Sequence, residues 1–247
     1  MYINFNKKIF HVVMIVVIII VILCVAGILA LRYQVEGELN LPFKITKISI
    51  IESVEGMEKQ GAVEKWNLNV NQNNDIYVYI EKNSSYGKTE IIKEVEVNNI
   101  IAERQIQKGE TKFYKPVIDE KRMFINSIEN EISNIIYKGE LESNIKQQKI
   151  SNQGGIVALR YAINNISQYT SETDEQIDHS QLLKLTNITP EDLKTNLSFD
   201  ITIKLTSGKK YQATIKLDVP IDEIIEKGTT GKEITNLDNL VFKRIEN

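Results

Sequence analysis

LSFDITIKLTSGKKYQATIKLDV, residues 197–219, decides the fold class. Leu197, Phe199, Ile201, Ile203 and Leu205 alternate with Ser198, Asp200, Thr202 and Lys204, and beyond Ser207-Gly208 the odd positions Tyr211, Ala213, Ile215, Leu217 and Val219 are apolar again. Apolar residues at every second position line one face of a strand, so both arms are half-buried strands and the Ser207-Gly208 pair turns the chain between them. The even positions Lys204, Gln212, Thr214, Lys216 and Asp218 face water, as in an antiparallel sheet packed on one side only.

Working outward, the same period recurs. Trp66, Leu68 and Val70 are answered by Ile76, Val78 and Ile80 across Asn73-Asn74-Asp75, which predicts a second hairpin with Tyr77 and Tyr79 on its opposite face and Trp66 in the core. Further strands are expected at Phe43–Ile51, Ile91–Gln107, Ile156–Tyr169 and Leu240–Ile245, the long 91–107 run with a bend or bulge. Seven or more strands with few helices read as a sandwich. Short helices are expected at Thr189–Leu193, where Thr189 caps and Pro190 opens the first turn, at Pro220–Lys227 closed by Gly228, and at Asp178–Leu185. Residues 120–138 fit helix and strand alike; the Ile-rich composition favours strand. A split into two β domains would fall near 116–126, just past Lys115-Pro116.

The other decisive segment is Ile9–Leu31, which carries no charged side chain and has Ile, Leu, Val or Phe at 17 of its 23 positions, between Lys7-Lys8 and Arg32. As a helix it reaches roughly 34 Å, enough to cross a hydrocarbon core of about 30 Å. It is too long for a secretory signal core and offers no Ala-x-Ala site, and Leu23 before Cys24 does not fit a lipoprotein signal. An uncleaved anchor follows, with residues 1–8 as a cytoplasmic tail too short for a signalling domain, 9–31 in the plasma membrane, 32–42 juxtamembrane and 43–247 extracytoplasmic. The basic flank Lys7-Lys8 sets that orientation. Ala26 and Ala30 form a small-xxx-small pair through which two such helices would self-associate, although small residues are ordinary in a span.

Composition then excludes chemistry. Beyond Arg32 lie 27 of the 30 basic residues and all 33 acidic ones, a net charge of −6 that argues against nucleic acid or an anionic headgroup surface as partner. The single cysteine, Cys24, sits inside the apolar run, so the outer part has no disulfide, thiolate nucleophile or cysteine metal site. A cysteine-free ectodomain of this size fits a bacterial surface, where an adequate core replaces disulfides; the sequons at Asn83, Asn165, Asn187 and Asn196 reflect abundant asparagine.

His179 is the only histidine outside the span, and its neighbours Asp178 and Ser180 do not converge on it as a triad requires. The acidic run Glu172, Asp174, Glu175, Asp178 lacks the spacing of a calcium loop. Neither Gly154-Gly155 nor Gly228-Thr229-Thr230-Gly231 matches a phosphate loop. No catalytic, cofactor-binding or metal-binding residue is assigned; a carboxylate pair of the glycosidase kind is the one enzymatic alternative that composition leaves open.

Arg32–Gly37 (RYQVEG), Asn152–Gly155 (NQGG), Phe199-Asp200-Ile201 and Val241–Arg244 (VFKR) are similar to segments of uncharacterised bacterial single-pass membrane proteins with a β-rich extracytoplasmic domain. That resemblance implies topology and no activity. The reading is an N-terminal transmembrane α-helix followed by a mainly-β, sandwich-like antiparallel ectodomain. Its expected role is that of a non-catalytic envelope scaffold or adaptor binding another envelope protein through a sheet face or edge, with an anchored hydrolase or a ligand-binding ectodomain as alternatives.

Overall fold

A computed structural model of the chain describes residues 7–38, 41–59, 66–117, 119, 121–142, 148–171, 176–220, 223–237 and 239–245. The chain begins with α1 (Lys7–Glu38), whose stretch Phe10–Ala30 is long and apolar enough to cross a membrane and is not buried against any other part of the protein. A helical stretch that is apolar around its whole circumference and left unburied exposes a surface that water does not tolerate.

Eleven strands follow among the described residues: β1 (Phe43–Glu58), β2 (Asn67–Lys82), β3 (Ile92–Arg104), β4 (Glu110–Tyr114), β5 (Ile135–Gly139), β6 (Lys149–Ile150), β7 (Gly154–Thr170), β8 (Thr195–Leu205), β9 (Lys210–Val219), β10 (Thr229–Ile234) and β11 (Lys243–Ile245). Three one-turn helices punctuate them, α2 (Leu182–Leu185), α3 (Pro190–Leu193) and α4 (Ile224–Lys227). Sheet A has the order β10-β1-β2-β7-β4 and sheet B the order β11-β9-β8-β3-β5-β6. All pairings are antiparallel except β5–β6. Ile50, Ile76 and Leu159 from sheet A share one buried cluster with Val97, Phe199 and Ile203 from sheet B. The Tyr161 hydroxyl of β7 also meets the Thr195 Oγ1 of β8 at 2.8 Å, so the sheets are the two leaves of a sandwich.

The 197–219 hairpin is present as β8 and β9, in the register Ile203↔Tyr211 to Leu197↔Leu217 that the odd-position pattern implies. The bulge expected in 91–107 lies between Asn98 and Ile101, where Asn99 adopts φ +50° and shifts the register against β8. Thr189 and Pro190 start α3 as expected, with the Asp192 carboxylate accepting the Thr189 N–H at 3.0 Å.

Four expectations are corrected. No turn interrupts residues 73–75: β2 runs straight through them, flanked by β1 and β7, and the true hairpin is β1–β2. Asn73 and Asn74 are buried in the middle of the sheet, where their side-chain amides are bonded; a buried, bonded asparagine has no reason to turn. Within 120–138 only Ile135–Gly139 is strand, preceded by irregular chain and a single 3-10 turn at Ile128–Asn130, with Ile128 90% exposed. The helix expected from Pro220 starts only at Ile224, because Glu223 takes a left-handed conformation (φ +46°). Trp66 is half-buried at the rim of the core instead of inside it.

The outer face of sheet B is a charge ladder. Lys204 Nζ bonds Glu94 at 2.7 Å and Glu96 at 2.9 Å, and Lys138 pairs with the other Glu94 oxygen. Burial pushes the Glu94 carboxyl up, but the hydrogen bonds and charges of the two lysines outweigh it and hold the folded value below the ordinary 4.5. A carboxyl depressed in the folded state stabilises above its unfolded value and loses that contribution as pH falls through the folded one. Denaturant titration of the full chain in detergent is therefore expected to show Glu94→Gln less stable than wild type at pH 7, the gap closing as pH falls below about 4.5. A gap independent of pH would contradict the ladder.

Candidate interaction surface

On the outer face of sheet A the register sets Ser49, Tyr77 and Ala158 in one cross-strand row, with Lys47, Tyr79 and Ile156 in the next and Ile51, Asp75 and Arg160 on the other side. Side chains directly opposite one another share a face, so small Ser49 and Ala158 flanking Tyr77 leave a trough between taller rows. The result is a groove of about 560 Å³ closed at one end by Pro116, Val117 and Met123, with Tyr137 and Lys149 at the β7 edge. Ile51, Met123 and Ile156 remain 43%, 44% and 44% exposed there.

The wall at Pro116, Val117 and Met123 belongs to a strap, the described residues among 115–134, laid across the same face. Its ends are tied by backbone bonds, the Ile132 N–H to the Phe113 carbonyl of β4 and the Lys115 N–H to the Asn130 carbonyl, both at 2.9 Å, and side chains hold its middle against the sheet. Arg160 reaches Asp75 with Nε at 2.5 Å and Nη2 at 2.9 Å, a bidentate pair only 10% and 14% exposed, and gives Nη1 to Asn126 Oδ1 at 2.9 Å. Asn126 Nδ2 then donates to Asn73 Oδ1 (2.9 Å) and Asn164 Oδ1 (3.0 Å), and Asn164 donates to the Tyr114 hydroxyl (2.6 Å). The Phe124 ring is inserted between the edge of Tyr77 and the Arg160 guanidinium, 5.1 Å from its centroid. Arg122 reaches Glu55 of β1 at 3.1 Å.

β4 pairs β7 only over Arg160–Asn164, so among the described residues no strand pairs with the β7 edge from Gly155 to Leu159. Tyr137 of sheet B caps that edge. Its hydroxyl accepts the Ala158 N–H at 3.0 Å and donates to the Ala158 carbonyl at 2.6 Å. Burial keeps this phenol protonated, and burial followed by the Asp75 charge pushes Tyr77 up to about 12. Lys47 lies over the Tyr79 ring at 4.3 Å and is bonded to Glu233 at 2.6 Å, while the exposed Lys149 makes no ion pair among the described residues.

The remaining candidates fall elsewhere. His179 Nδ1 accepts the Gly56 N–H at 3.3 Å, and Asp178 caps the Ser180 N–H at 2.9 Å instead of meeting the imidazole. Glu172, Asp174 and Glu175 lie outside the described residues, among which no three metal-ligating side chains cluster. Gly154 (φ +122°) is a tight approach, since a Cβ there would stand 2.4 Å from the Ile80 carbonyl. Buried Glu90, Glu94 and Asp192 each meet a lysine. In four surface pockets lined by described residues, Glu55 and Glu81 are the carboxylates, one to a pocket. Tyr77 and Tyr79 were legible as outward residues, whereas the strap and Arg160 carried no local signal.

No protein-family model matches the chain, and no curated protein or solved structure is similar to it.

Arg160→Ala strands Asp75, Asn126 and the face of Phe124 at once. Removing one member of a buried ion pair costs about 3 kcal/mol, and the strap should come free. Denaturation of the full chain in detergent is expected to show that loss, together with faster tryptic cleavage after Lys121 and Arg122. Wild-type stability and cleavage would mean the strap is held by something else.

Proposed function

We propose that this chain is a non-catalytic, single-pass plasma-membrane protein of the bacterial envelope. Residues 9–31 anchor it with the N-terminus in the cytoplasm, and the extracytoplasmic β-sandwich serves as a scaffold or adaptor that holds another envelope protein on the outer face of sheet A. The observation that carries this reading is the groove. Scattered exposed apolar residues are normal on any protein, but Ile51, Met123 and Ile156 converge on one trough floored by aromatic and small side chains. Its volume falls in the range of ligand-binding pockets, and tyrosine and methionine are residue types enriched at interface cores.

Support for a non-catalytic role comes from the neighbourhood. Among the described residues the groove lining holds no carboxylate, histidine or cysteine, and burial keeps the Tyr77 and Tyr137 phenols protonated, so those side chains offer no ready nucleophile or base. The anchor rests on the unshielded apolar surface of α1, and the orientation on Lys7 and Lys8.

One experiment tests side and partner together. Cys24, the only native thiol, lies within the apolar helix, so Ile156→Cys presents a unique aqueous thiol. In protoplasts it is expected to react with a membrane-impermeant maleimide-diazirine and, on irradiation, to give one discrete protein adduct that Ile51→Lys abolishes. Failure to label from outside contradicts the orientation. Labelling without a discrete adduct contradicts docking at this face.

A further inference from the structure

We propose that the groove on sheet A receives an extended apolar peptide segment of the partner that carries a carboxylate, and that Lys149 is the cation which receives it. This rests on the docking reading above and adds the chemistry of the occupant. The trough crosses the strands along Ser49, Tyr77 and Ala158, between apolar walls at Ile51 and Ile156, which suits aliphatic or aromatic side chains laid across the sheet. A strand added along the β7 edge is blocked: Tyr137 already holds both the N–H and the carbonyl of Ala158, and Ser151 bridges to Gly154. The occupant is therefore read by its side chains and not by a backbone ladder.

Charge fixes the rest. Among the described residues the groove lining contains no acidic side chain; on the same face Asp75 is taken by Arg160, and Lys47 by Glu233. Among the described residues Lys149 alone remains as a charge without an ion pair at the rim, on a protein whose outer part is net negative. A carboxylate matches one ammonium, whereas a phosphate, with nearly two charges, would ask for a second cation or a nest of backbone N–H groups.

The probe is a fluorescent peptide alternating leucine and phenylalanine and ending in two aspartates, titrated by polarisation against the full chain in nanodiscs, with empty nanodiscs subtracted. It is expected to bind at least tenfold more tightly than the same peptide with asparagines in place of the aspartates. Lys149→Glu is expected to erase that preference, Lys149→Arg to keep it, and Ile156→Asp to weaken both peptides. Equal binding of the two peptides, still lost in Ile156→Asp, overturns the carboxylate assignment and leaves the docking face standing. Tighter binding of a phosphoserine-ended version also overturns it. Binding of neither peptide to a wild-type chain that yields the Ile156→Cys adduct overturns the proposed occupant alone, while absence of both overturns the docking face as well.

Discussion

Five consecutive polar residues, Asn71-Gln72-Asn73-Asn74-Asp75, pass through the middle of a central strand, and the rest of the structure depends on their being satisfied there. An unpartnered buried amide or carboxylate costs about 1–3 kcal/mol or more, so a run of them would break the strand. Instead, the inward pair is reciprocal: Gln72 Nε2 donates to Asn74 Oδ1 at 3.0 Å and Asn74 Nδ2 to Gln72 Oε1 at 2.9 Å. The outward members are answered from other elements, Asn71 by the Asn165 N–H in the bulge of β7, Asn73 by Asn126 and Asp75 by Arg160. The polar centre thus serves as the socket into which the strap and the β7 bulge plug.

Continuity of β2 has two consequences for function. It keeps Leu68 and Val70 on the same inner face as Ile76, Val78 and Ile80, so both halves of the strand feed one core. It also aligns Tyr77 between Ser49 and Ala158, which creates the trough, and brings Phe124 of the strap against Tyr77, which closes its end. The apolar surface left open is then the residue of a packing arrangement dictated from within the sheet.

How much of this was legible follows from where each signal resides. The β8–β9 hairpin showed itself because alternation and turn both lie within 23 contiguous residues. Asn73-Asn74-Asp75 misled because these residue types are favoured in turns for local reasons, while the partners that hold them in a strand are far away in sequence: Asn126, and Arg160 at 85 positions from Asp75. A subtler sign was present, since the apolar positions keep even parity from Leu68 to Ile80, as one uninterrupted strand requires. The strap had no legible signature because amide and guanidinium bonds to distant strands fix it, without any period of its own. Lys149 and Ile156 were unremarkable in sequence; the register of β2 with β7 sets Ile156 beside Tyr79, and Lys149 reaches the same groove from β6 of the other sheet.

Hydrogen exchange across β2 tests the dependence on its polar centre most directly. In the full chain held in detergent, the backbone amides of residues 72–75 are expected to exchange as slowly as those of 76–80, as one cooperative block, and to lose protection together with the strap in Arg160→Ala. Fast exchange confined to 72–75 in the wild type, between two protected arms, would mean that the chain turns there, and the groove described above would not exist.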